Sequence, residues 1–95
     1  MERTVVVRLL EGLHARPAAL FVREAGATAV CVLVSRPGGT PVPASSILSV
    51  LLLDVSAGDE VVLSTTEDSP EAAAVLDDLV AFLSQEVPAD DGVPA

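Results

Sequence analysis

Along this chain the apolar residues switch repeatedly between two spacings, and those switches limit what it can fold into. At residues 4–9, Val5, Val7 and Leu9 alternate with Thr4, Val6 and Arg8. That is the two-residue period of a strand. Ala18, Phe21, Val22 and Ala25 then recur three and four apart, on one face of a helix. Residues 29–35 return to a β-branched run, residues 40–42 make a short third strand, and residues 60–66 a fourth. Before that fourth strand, residues 47–53 read as a short helix that is apolar on nearly every side. Ala72, Val75, Leu76, Leu79 and Leu83 mark the buried stripe of a last helix, with Glu71, Asp78 and Ala81 on its wet face. The order is β-α-β-β-α-β-α, with short connections. It predicts an α+β fold, an open-faced β-sandwich: a four-stranded, mainly antiparallel sheet with three helices on one face. A chain of 95 residues has room for one such domain.

The turn residues fall where this order needs them. Glu11-Gly12-Leu13-His14-Ala15 breaks the first strand. Arg16-Pro17 starts the first helix, because proline in the first turn loses no helical hydrogen bond. Gly26 fits its end. Arg36-Pro37-Gly38-Gly39 is a turn by composition, and Pro43 closes the hairpin that follows. Ser45-Ser46 offers an N-cap to the short helix, and Asp68 or Ser69 offers one to the last. Cys31 falls within the second strand and is expected to be a small core residue. Residues 1–87 make the domain; residues 88–95, with Pro, Gly and acids, read as a flexible acidic tail.

Missing residues narrow the chemistry. The sequence has no lysine, which excludes Schiff-base catalysis and a Walker-type phosphate loop. One cysteine cannot form an intrachain disulfide or a CxxC zinc site, and one histidine cannot build a multi-histidine zinc site. No apolar run approaches the roughly 18–20 residues that span a bilayer. The N-terminus lacks a signal peptide's apolar stretch, so a soluble, cytoplasmic protein is expected. Five arginines against fourteen acids give a net charge of −9. All five arginines lie in residues 1–36, and residues 37–95 hold eleven acids and no base. Such a chain is a poor partner for nucleic acid and for anionic membranes. Most of its carboxylates read as a solvated surface.

One segment carries chemistry: Gly12-Leu13-His14-Ala15-Arg16-Pro17-Ala18-Ala19. His14 stands in a loop just before a helix start. The N–H groups of a first turn point outward there, and the helix dipole adds partial positive charge. Such a terminus is ready to hold an anion. Arg16 adds a guanidinium able to grip phosphate through two hydrogen bonds. Gly12 allows tight loop geometry. Read by itself, the segment is open to two readings: a nitrogen that accepts a phosphoryl group and holds it briefly, or a lone surface histidine near a helix cap.

Gly12-Leu13-His14-Ala15-Arg16-Pro17-Ala18 resembles the active-site signature of HPr, the histidine-containing phosphocarrier family of the bacterial sugar phosphotransferase system. The likeness continues in Phe21-Val22-Arg23-Glu24-Ala25, in Ser45-Ser46-Ile47-Leu48, and in Ala57-Gly58-Asp59-Glu60-Val61. It spans about residues 3–86. The resemblance implies a phosphoryl carrier rather than a turnover enzyme, with no metal and no cofactor of its own. The phosphoryl group would pass from phosphorylated enzyme I to Nδ1 of His14, and on to the IIA unit of a sugar permease. It implies that Arg16 stabilises the phosphate, and that Ala15, Ala19, Leu20, Arg23, Ile47, Leu48 and Leu51 dock partners. It gives Ser46 the place of a regulatory serine, modified in some bacteria by an HPr kinase. It also implies a monomer. The same fold serves paralogous carriers in nitrogen-regulatory or dihydroxyacetone-kinase relays, and a regulatory docking module that carries no phosphate is a further alternative.

The short helix can be divided by wheel position. Val50 and Leu53 fall together as the inward face; Ile47, Leu48 and Leu51 fall together elsewhere. An exposed apolar cluster of that kind fits a docking patch. Ser46 serves equally as a helix cap, and Ser45 stands where many family members carry a basic residue.

Overall fold

The structure, a computed structural model, describes residues 1–85. The acidic tail at 88–95, and residues 86 and 87 of the expected domain, lie outside them. In chain order the elements are β1 (Glu2–Val6), α1 (Ala15–Gly26), β2 (Val32–Ser35), β3 (Val42–Pro43), α2 (Ile47–Leu52), β4 (Glu60–Thr65) and α3 (Pro70–Leu83). The strands form one sheet in the order β1-β4-β2-β3, and every pairing is antiparallel. This is the expected α+β architecture.

The sheet's register puts one side of each strand inward. Val5 pairs with Val61, and Val34 with Leu63, and all four are buried. Phe21 and Ala25 of α1, Val50 of α2, and Leu76, Leu79 and Leu83 of α3 close the core from the helix side. The only two aromatic residues meet there: the rings of Phe21 and Phe82 lie 6.4 Å apart in a tilted arrangement. Phe82 is therefore buried, a core residue that the expected α3 stripe did not include, whereas Val75 of that stripe is only half-buried. Ser69 caps α3, its hydroxyl accepting from the Ala72 N–H at 3.1 Å, and Pro70 takes the first helical position. The choice between Asp68 and Ser69 is settled in favour of the serine.

Two strands are shorter than their apolar runs. β1 stops at Val6, although Val7 and Leu9 remain fully buried. The Val7 N–H donates to the Asp59 carbonyl, and the Arg8 N–H to the carbonyl of Leu83, so this stretch leaves the ladder with its hydrogen bonds satisfied elsewhere. β2 starts at Val32, three residues later than expected. Residues 27–30 turn the chain after α1, and the Val30 N–H bonds the Thr28 hydroxyl. Cys31 is consequently exposed, not a core residue. The inward positions are Val32 and Val34, and Cys31 falls out of step with them. β3 likewise starts two residues later than expected and includes Pro43.

Among the described residues no helix is long and apolar enough to cross a membrane.

Candidate functional site at the start of α1

His14 is the N-cap residue of α1, with extended backbone, and its side chain makes no capping bond. The imidazole is thus not used up by the helix it precedes. Its side chain is 39% exposed. Three features of the loop hold it there. Leu13 is fully buried, and its N–H donates to the Val55 carbonyl at 2.9 Å. Gly12 has φ +64, the left-handed conformation that glycine adopts without strain. Ala15 has φ 50, so the right-handed path of α1 begins in effect at Arg16, where the proline signal puts it.

The Leu13–Val55 bond ties the loop to the chain that leaves α2. Asp54 stands there, in left-handed conformation with φ 53, its N–H donating to the Leu51 carbonyl at the helix end. Its Oδ1 lies 3.7 Å from Nε2 of His14. Sequence reasoning missed Asp54, since forty residues separate it from His14 and no spacing rule links the two. Its position just past a helix C-terminus was the only local signal.

The other expected site residues divide by location. Ala15, Arg16 and Ala19 are exposed on the first turns of α1, Leu20 is half-buried, and Arg23 is exposed in the last turn. On α2, Val50 is buried and Leu53 half-buried, while Ile47, Leu48 and Leu51 are exposed at 40%, 70% and 38%. The wheel assignment holds. Leu52, not singled out before, is the most exposed of the group at 82% and extends the patch. α1 and α2 pack together, and the C-terminal end of α2 leads into Asp54, which brings this patch beside His14. Ser46 is at the opposite end. It caps α2, its hydroxyl accepting from the Ser49 N–H at 3.4 Å. Ser46 precedes α2 and Asp54 follows it, so the six residues of the helix, at about 1.5 Å each, lie between Ser46 and the end that meets the imidazole. The fold therefore assembles His14, Arg16 and the α2 patch, and leaves Ser46 at the far rim.

Fold and site together define a class: small open-faced α+β domains that present a single histidine at a helix start. The family model described as "PTS HPr component phosphorylation site" matches residues 1–85. The phosphocarrier protein HPr of Streptomyces coelicolor is 50% identical over 72 residues, covering 76% of this chain and 77% of that protein. The HPr-like protein Crh of Bacillus subtilis is 43% identical over 88 residues, covering 92% and 99%. Among solved structures, the phosphocarrier HPr of Bacillus anthracis superposes with a TM-score of 0.80 at 32% identity, over 88% of this chain and 96% of that one. The chain belongs to the HPr family of phosphocarrier proteins of the phosphotransferase system.

Proposed function

We propose that this protein carries a phosphoryl group on Nδ1 of His14, accepting it from phosphorylated enzyme I and passing it to the IIA unit of a sugar permease. The observation that supports this best is the half-exposed imidazole at the start of α1, engaged in no cap, two residues from the exposed Arg16. A transferring phosphoryl group needs positioning and charge stabilisation more than covalent machinery. The helix start and the guanidinium supply both. On this reading Arg16 stabilises the phosphate, and Ala15, Ala19, Leu20, Arg23, Ile47, Leu48 and Leu51 form the docking face. Ser46 is a modification site for an HPr kinase. Residues 1–87 form the carrier domain, which works in the cytoplasm as a monomer and turns over no substrate of its own.

A second reading draws on the likeness to Crh, which spans nearly the whole chain. It makes the protein a regulatory module that docks through α2 without carrying phosphate. The presence of both His14 and Arg16 favours the carrier, since a docking module needs neither. The test is incubation with phosphoenolpyruvate and enzyme I, followed by phosphorus NMR. A carrier yields one phosphoramidate, labile in acid and stable in base, and absent from His14→Ala. A label that survives acid, or that persists in His14→Ala, overturns the assignment.

A further inference from the structure

We infer that Asp54 is a positioning residue for His14: its carboxylate holds the ring proton at Nε2 and so presents Nδ1 as the nucleophile. The inference rests on the carrier reading above. The observation is the 3.7 Å approach of Asp54 Oδ1 to Nε2 of His14. A neutral imidazole carries one proton and can place it on either nitrogen. A carboxylate facing Nε2 stabilises the tautomer protonated there, and the lone pair is then on Nδ1.

The same contact acts during transfer. The Nδ1 lone pair forms the new N–P bond as the bond from phosphorus to the donor's phosphohistidine nitrogen breaks, and the electrons of that bond return to the donor. The Nε2 proton stays in place, so the His14 ring goes from neutral to cationic. A carboxylate beside Nε2 favours that change. It lies at the ring nitrogen that the phosphoryl group does not occupy. The backbone that makes the contact is specific. Asp54 sits at φ 53, a conformation that aspartate and asparagine tolerate better than most residues. The Leu13–Val55 hydrogen bond fixes the adjoining chain against the His14 loop.

Two variants test this without disturbing the backbone. Asp54→Gly suits the left-handed conformation, and Asp54→Asn keeps the side-chain shape while removing the charge. The measurements are the Nδ1 and Nε2 chemical shifts of His14 in the 15N-labelled protein with the ring neutral, and the rate of phosphoryl transfer from enzyme I. Both variants should move the ring shifts toward the Nδ1-protonated tautomer. Both should slow transfer by about two- to fivefold, the range an exposed ion pair supports. Ring shifts identical to the unmodified protein in both variants, or transfer at its full rate, would overturn the inference. If the unmodified protein accepts no phosphoryl group at all, the carrier reading falls instead, and the ring shifts still decide whether Asp54 holds the imidazole.

Discussion

A Cβ at position 12 would collide with the Val55 carbonyl oxygen and lie 2.8 Å from the Ser56 Cα. Both obstacles are backbone and cannot swing aside. The left-handed φ adds a penalty of about 1–2 kcal/mol for any residue with a side chain. Gly12→Ala should therefore lower stability by roughly 2–4 kcal/mol, at the upper end of single substitutions. Chemical denaturation checks that figure. The same substitution should separate His14 from Asp54, because the loop must lift off residues 55 and 56. Loss of the cross-peak between the His14 ring and Asp54 in NMR spectra of the residual folded protein is the expected sign. A stability change below about 0.5 kcal/mol, the ordinary surface range, would mean that the loop does not need this close approach.

At the scale of elements, α2 is six residues long and apolar on both its inner and outer faces. Its inner face is Val50, backed by the half-buried C-cap residue Leu53, and its outer face is leucine and isoleucine in water. A helix that short is stabilised by packing and capping rather than by its own propensity. Leu48, at 70% exposure, contributes little to the core. Leu48→Asp should leave circular dichroism native and weaken binding to enzyme I, since an unpaired carboxylate in a dry contact is costly. Loss of native structure would put Leu48 in the core after all. Ser46 acts at the other end, through its cap. Ser46→Asp keeps a capping oxygen and adds negative charge at a helix N-terminus, so the melting temperature should hold or rise. Phosphoryl transfer from enzyme I should slow, because that charge adjoins the helix proposed to dock it. Ser46→Ala should lose up to about 1 kcal/mol of stability and transfer normally. Transfer by Ser46→Asp at the unmodified rate would leave Ser46 a cap and nothing more.

The whole molecule has a core built almost wholly from aliphatic side chains. Phe21 is its largest fully buried residue, and Phe82 is its only aromatic neighbour. No larger side chain stands ready to fill the space that either would leave. Phe21→Ala should cost about 3–5 kcal/mol, the usual range for such truncations. For a domain of this size each kcal/mol moves the melting temperature by about 4–8 °C, so a fall of at least about 12 °C is expected in calorimetry. A smaller fall would show that α1 and α3 can close over the cavity.

Period and punctuation made most of this architecture legible. The alternation of Val5, Val7 and Leu9, the helical spacing from Ala18 to Ala25, and the serine and proline at the start of α3 are local signals. Local backbone geometry obeys them. The same holds for His14 and Arg16, which stand at the helix start that Pro17 marks, and for the outward face of α2, which follows from helical periodicity once one buried residue is placed. Non-local pairing was out of reach of the sequence. β1 ends at Val6 because the donors of Val7 and Arg8 find carbonyls at Asp59 and Leu83. Cys31 is exposed because the chain spends residues 27–30 on a turn. Phe82 is buried because Phe21 waits across the interface. Asp54 faces His14 because Gly12 lets two loops, forty residues apart in the chain, close on each other through the Leu13–Val55 hydrogen bond. Each of these depends on which distant backbone group or side chain fills a given space. Only the closed tertiary structure decides that.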